Sequence, residues 1–159
     1  MRHDILFHLV NGPEGDPCLY ANFKYESRAM VFDLGDVHIL SARSLLKVTH
    51  IFISHTHVDH FIGFDQMLRL HLGRGKVLNL YGPPGITDRV EARLRGYSWN
   101  LVHNYPHDFR LHVYEAGDGP LRAARFRCQA CFNDAVPVMY KTGYLLFSER
   151  TQVYFQEVV

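Results

Sequence analysis

Four residues with metal-ligand chemistry fall within six positions: His55, His57, Asp59 and His60, in the stretch "ISHTHVDHFIG" from Ile53 to Gly63. Neutral imidazoles and carboxylates are ligands that zinc, manganese and iron accept. His55 and His57 stand two apart at the end of an extended run, so both side chains can point the same way. Asp59 and His60 follow where the chain turns into a helical pattern, and can face the same pocket from another direction. The cluster predicts metal binding, with two adjacent ions possible. Such a pair would lower the pKa of a shared water and hold the attacking and leaving oxygens of a hydrolysed ester. A polar loop of hydrated histidines is the plain alternative, and four ligand-type residues in this spacing behind a buried strand argue against it.

The elements that must position these residues can be read from periodicity. "THIFIS", residues 49–54, is a contiguous apolar strand that delivers the cluster at its C-terminal end. Upstream, "HDILFHLV", "CLYANFKY" and "SRAMVFDLG" read as strands, with "NGPEGDP" as a loop between the first two. "SARSLLKV" predicts a short helix capped by Ser41. Beyond the cluster, Phe61, Phe64, Met67, Leu68 and His71 recur at the spacing of one continuous helix, closed by the glycines of "LGRG". "VLNLYGPPGI" predicts a strand and turn, with Pro83 and Pro84 opening the helix "TDRVEARLRGY". Then "HDFRLHVYEAG", with Phe109, Leu111 and Val113 on one face, "LRAARFRCQA" and "TGYLLFSERTQVYFQEVV" return to strand patterns. Strands, helices and strands again fit an α/β domain of sheet with helices outside.

Composition bounds the rest. The chain has 159 residues, enough for one domain with a real core, and 47% apolar against 21% charged residues describes a globular protein. Seventeen Lys and Arg against 16 acids give a net charge of +1, which excludes a global electrostatic pull toward nucleic acid or membrane. No stretch approaches the roughly 18 apolar residues of a membrane span. With no signal-peptide core and three cysteines, an odd number, a cytoplasmic location is expected.

The motif itself carries a resemblance. His55-Thr56-His57-Val58-Asp59-His60 matches the H-x-H-x-D-H signature of the metallo-β-lactamase-fold superfamily, and "MVFDLGD" lies upstream where that superfamily places a strand-end Asp. The phrases "VFDLGD", "IFISHTHVDHFIGFDQML" and "LNLYGPPGI" look most like its ribonuclease Z-like branch, over about residues 5 to 95. The resemblance implies an αββα sandwich and a metal-dependent hydrolase, phosphodiesterase-like, acting through a metal-activated hydroxide on a phosphodiester or RNA substrate. It implies two zinc ions, with manganese or iron as substitutes: His55 and His57 would bind one, and Asp59 and His60 the other. Asp59 would also position or deprotonate the attacking water. Asp33 would orient the ligand loop by hydrogen bonding from behind.

The superfamily's remaining ligands, a third His, a bridging Asp and a last His, have no clear counterparts. "HNYPH" sets Pro106 between His103 and His107, "CFNDAVPV" offers only Asp134, and the chain reaches Val159 on an apolar strand. Residues 1–159 are therefore expected to be the N-terminal half to two-thirds of one such domain, inactive alone, unless a second copy of the chain completes the site as a homodimer. An iron-dependent oxidoreductase on the same fold and a degenerate, non-catalytic domain are the rivals. His3, His8, His38, His50 and His71 are expected at the surface or core edge, and His112 in solvent. Cys128 and Cys131 suit a structural role better than a metal or redox one. Arg69, Arg74 and Lys76, and Arg89, Arg93 and Arg95, read as solvated helix faces.

Overall fold

The computed structural model describes residues 4–117, 122–133 and 136–139. Eight strands form one mixed sheet in chain order: β1 (Ile5–Leu9), β2 (Leu19–Phe23), β3 (Ala29–Phe32), β4 (Val48–Phe52), β5 (Val77–Gly82), β6 (Arg110–Glu115), β7 (Arg122–Arg127) and β8 (Val136–Met139). The pairs at either side, β1–β2–β3 and β6–β7–β8, are antiparallel, and β3 to β6 run parallel. Parallel neighbours need crossovers, and these carry the helices: α1 (Ala42–Leu45), α2 (Val58–Phe61), α3 (Phe64–His71) and α4 (Ile86–Arg95). This is the expected α/β arrangement. The second β layer of an αββα sandwich is not among the described residues, and neither is the strand pattern of 142–159.

Alternation along the central strands divides the side chains between two faces. Val31, Ile51, Leu80 and Val113 lie opposite one another across β3 to β6 and are completely buried. Onto this row the helices set Leu45, Phe61, Phe64, Met67, Ile86, Val90 and Leu94, in one continuous core. The other face carries a ladder of rings in register, Phe32, Phe52, Tyr81 and Tyr114, with successive centroids 5.0, 5.0 and 4.7 Å apart. Ala21, Phe23 and Met30 form a smaller apolar group beside it, against Ile5 and Phe52.

Helix boundaries depart from periodicity at two places. The continuous helix expected from Phe61 to His71 is two helices, parted at Ile62 and Gly63. There the Gly63 N–H donates to the carbonyl of Leu34 (2.9 Å), and the Leu34 N–H donates to the carbonyl of His60 (2.8 Å), so the β3–α1 loop takes groups a continuous helix would use internally. Pro83 and Pro84 precede α4 instead of opening it. Gly85 is the N-cap, at a left-handed φ of 85° that glycine adopts without penalty. The α1 cap is as expected, with Ser41 Oγ accepting from the Ser44 N–H.

Two histidines also differ from expectation. His71, expected at the surface or core edge, is completely buried. Its Nδ1 lies 2.8 Å from the Met67 carbonyl, the contact that lets a helical imidazole enter the core. His112, expected in solvent, is half-buried on the sheet, and its pKa is lowered chiefly by burial and then by Arg125 and Arg110.

Candidate metal centre

β4 ends at Phe52, and the chain then passes through Ser54 and the motif into α2. This is the C-terminal edge of the parallel strands, where crossover loops gather side chains from separate elements. His57 is the α2 N-cap, Asp59 lies in its first turn and His60 in its last. The four motif residues are thus divided between a strand-end loop and one helical turn.

Three imidazole rings are brought together. His55 and His60 have centroids 3.8 Å apart, and His55 and His57 are 4.5 Å apart, nearly edge to face. Asp59 Oδ2 lies 3.6 Å from His60 Nε2. Asp59 is half-exposed while His60 is largely enclosed.

Behind the rings stands Asp33, directly after β3, with a φ of 58°. Asp is among the few side chains that tolerate this left-handed conformation. Its Oδ1 accepts from the Ser54 N–H (2.8 Å), and its Oδ2 lies 3.0 Å from His60 Nδ1. The Ser54 hydroxyl reaches both carboxylate oxygens at 2.9 Å and lies 3.0 Å from His55 Nδ1 and 3.3 Å from His60 Nδ1. A ring whose Nδ1 is held this way presents Nε2 outward, the tautomer a metal-ligating imidazole needs. Ser54, which motif reading passes over, is thus the group that links Asp33 to two of the three rings. Its signal in the sequence is its place alone, between the apolar strand and His55. Asp36, the neighbouring carboxylate, is occupied elsewhere: the His38 N–H and ring lower its pKa.

The donor chemistry suits divalent cations: imidazoles with held Nδ1 atoms and a partly exposed carboxylate. Among the described residues, no three His, Cys, Asp or Glu side chains surround a common point at metal-holding geometry. His55 and His57 make one pair and Asp59 and His60 another, each short of the three or four protein ligands of a zinc site. Asp134 lies outside the described residues. His103 and His107 lie beyond α4, on and just after the 3₁₀ turn Val102–Asn104. Cys128 is buried with its thiol pushed up to about 11 by burial and Asp108, which suits a structural role.

No family model matches the chain. Ribonuclease Z of Deinococcus radiodurans is 36% identical over 110 residues, covering 67% of this chain and 32% of that protein. Ribonuclease Z of Methanococcus aeolicus is 37% identical over 81 residues, covering 46% of this chain and 25% of that protein. The chain therefore spans a third or less of the length of these curated relatives. Among solved structures, the short form of human tRNase Z superposes with a TM-score of 0.43 at 18% identity, covering 76% of this chain and 58% of that one. Over the residues it shares with these relatives, the chain is ribonuclease Z-like in sequence.

Proposed function

We propose that this chain carries the first half of the metal centre of a phosphodiester hydrolase, RNA being the substrate class its relatives' name points to. The observation that carries the reading is the Asp33–Ser54 bracket behind His55 and His60, which holds two imidazoles with their outer nitrogens free beside Asp59. Metal-ligating imidazoles commonly have the other ring nitrogen held in this way by a carboxylate or similar group.

In this reading His55 and His57 hold one zinc ion and Asp59 and His60 a second, in a cytoplasmic enzyme. Bound there, divalent cations supply a water of lowered pKa and offset the charge that builds on phosphoryl oxygens. The chain's residues orient the rest. Asp33 keeps a proton on His60 Nδ1 and so keeps Nε2 available as a donor. The half-exposed Asp59 carboxylate accepts a hydrogen bond from the attacking water and holds its proton.

Zinc titration by calorimetry tests this. The 159-residue chain should bind zinc weakly, since each pair of donors is incomplete, and the double variant His55→Ala, His57→Ala should lose at least half of the heat. A double variant that binds zinc as the parent does would remove the motif from the metal centre. In a protein that hydrolyses a phosphodiester, Asp59→Ala should lower kcat by 100-fold or more with little change in thermal stability.

A further inference from the structure

Beside the His loop lies a cleft of about 610 Å³, walled by Thr56, Val58 and Phe61 on one side and by Arg89, Arg93 and Tyr97 of α4 and its C-terminal turn on the other. Thr56 and Val58 flank His57 in sequence, so the cleft begins where the candidate metal centre ends. We propose that this cleft receives the phosphodiester backbone of the substrate strand beyond the scissile bond, with Arg89 as its phosphate contact. The proposal rests on the hydrolase reading above for the direction in which the strand runs.

Charge singles out Arg89. Among the arginines of α4, Arg95 is paired with Glu91 (2.6 Å) and Arg93 with Asp65 (2.6 Å). Arg89 has no carboxylate partner among the described residues; one N–H group reaches the Gly85 carbonyl at 3.0 Å. A guanidinium has five N–H donors in a fixed fork, so several stay available to the two oxygens of a phosphate. Arg93, held by Asp65 and lying over the Phe61 ring at 5.7 Å, serves as wall rather than as ligand.

The opposite character lies alongside. Tyr97 is 47% exposed and Val58 is 67% exposed, an unusual position for two large apolar groups on facing walls. The Tyr97 ring stands edge-on to Trp99, with centroids 5.8 Å apart, at the cleft mouth. A guanidinium without a carboxylate partner among the described residues and an exposed aromatic ring lining one cleft suit single-stranded nucleic acid, with a cation for the backbone and a face for a base. A free phosphate ion would use the first and leave the second idle.

The test measures binding of a 5′-labelled 12-nucleotide single-stranded RNA to the 159-residue chain by fluorescence anisotropy, in chelator, across a series of salt concentrations. Arg89→Ala should weaken binding about tenfold and reduce the log–log salt slope by about 0.7, the value of one phosphate contact on a single strand. Arg89→Lys should recover most of the slope, and Tyr97→Ala should weaken binding while leaving the slope unchanged. Chelator keeps metal out of the measurement, so failure of the metal reading would show in the zinc titration alone and leave this measurement intact. RNA that does not bind the parent chain, or an Arg89→Ala variant with unaltered affinity and slope, overturns the proposal.

Discussion

Asp33 and Ser54 share the work of holding the imidazoles, and they depend on each other. The Ser54 hydroxyl donates to the carboxylate, and the carboxylate reaches His55 only through that hydroxyl. Ser54→Ala and Asp33→Asn should each lower zinc affinity by about tenfold to 100-fold, the usual cost of removing a group that orients a ligand. Competition with a chromophoric chelator measures this, and far-UV circular dichroism should be unchanged for Ser54→Ala. An unaltered affinity in both variants would leave the bracket without a role in metal binding. At this scale the ligand types and spacing are legible in the sequence, because the motif is contiguous. Ser54 is not, since its partner lies 21 residues away and a lone serine has no pattern. His71 and His112 mislead for a related reason: periodicity says which face a residue takes, but not whether a backbone carbonyl or an adjacent strand covers it there.

The break between α2 and α3 shows what elements gain from one another. Phe61, Phe64, Met67, Leu68 and His71 fit a single helix, and all five are buried as that helix would require. The backbone nevertheless turns at Gly63 because the loop after β3 passes so close that a Cβ there would meet the Gly35 carbonyl oxygen and the Val37 side chain. Gly63 has an ordinary φ of −71°, so its need for a bare Cα is steric. Gly63→Ala should therefore destabilise the chain by about 1–3 kcal/mol, the range for forcing a methyl into packed structure. Urea denaturation reads this directly; a neutral effect would mean that the Leu34 loop yields easily. The same substitution should loosen the motif, because Leu34 binds both the His60 carbonyl and the Gly63 N–H. Strands were legible in the sequence wherever apolar residues alternate or run on. Helix ends were less so, because those of α2 and α4 are set by loop contacts and a left-handed glycine.

For the molecule as a whole, acid is the expected weakness. Burial, with Arg28 nearby, lowers the His50 pKa to about 4, and burial also lowers those of His71 and His112. An unfolded imidazole titrates near 6.5, so between these values the unfolded chain binds more protons than the folded one. Stability should be fully present above about pH 6.5 and fall as the pH drops toward about 4, with His50 contributing on the order of 3 kcal/mol at most. Thermal melts at pH 7.5 and pH 5 should differ, and His50→Gln should shrink the difference; identical melts at the two pH values would contradict the burial of these rings. The α/β class and the position of the His motif at a strand end follow from the sequence, while the order in which the strands join does not, because periodicity carries no information about neighbours. That order is the plainest one possible: each strand lies beside its predecessor, from β1 to β8. A sheet built this way never has to reserve a gap for a strand not yet made, so it can grow at one edge as the chain leaves the ribosome. Nascent chains arrested after β6 should already protect β2 to β4 from proteolysis, before any residue beyond the sheet has been synthesised.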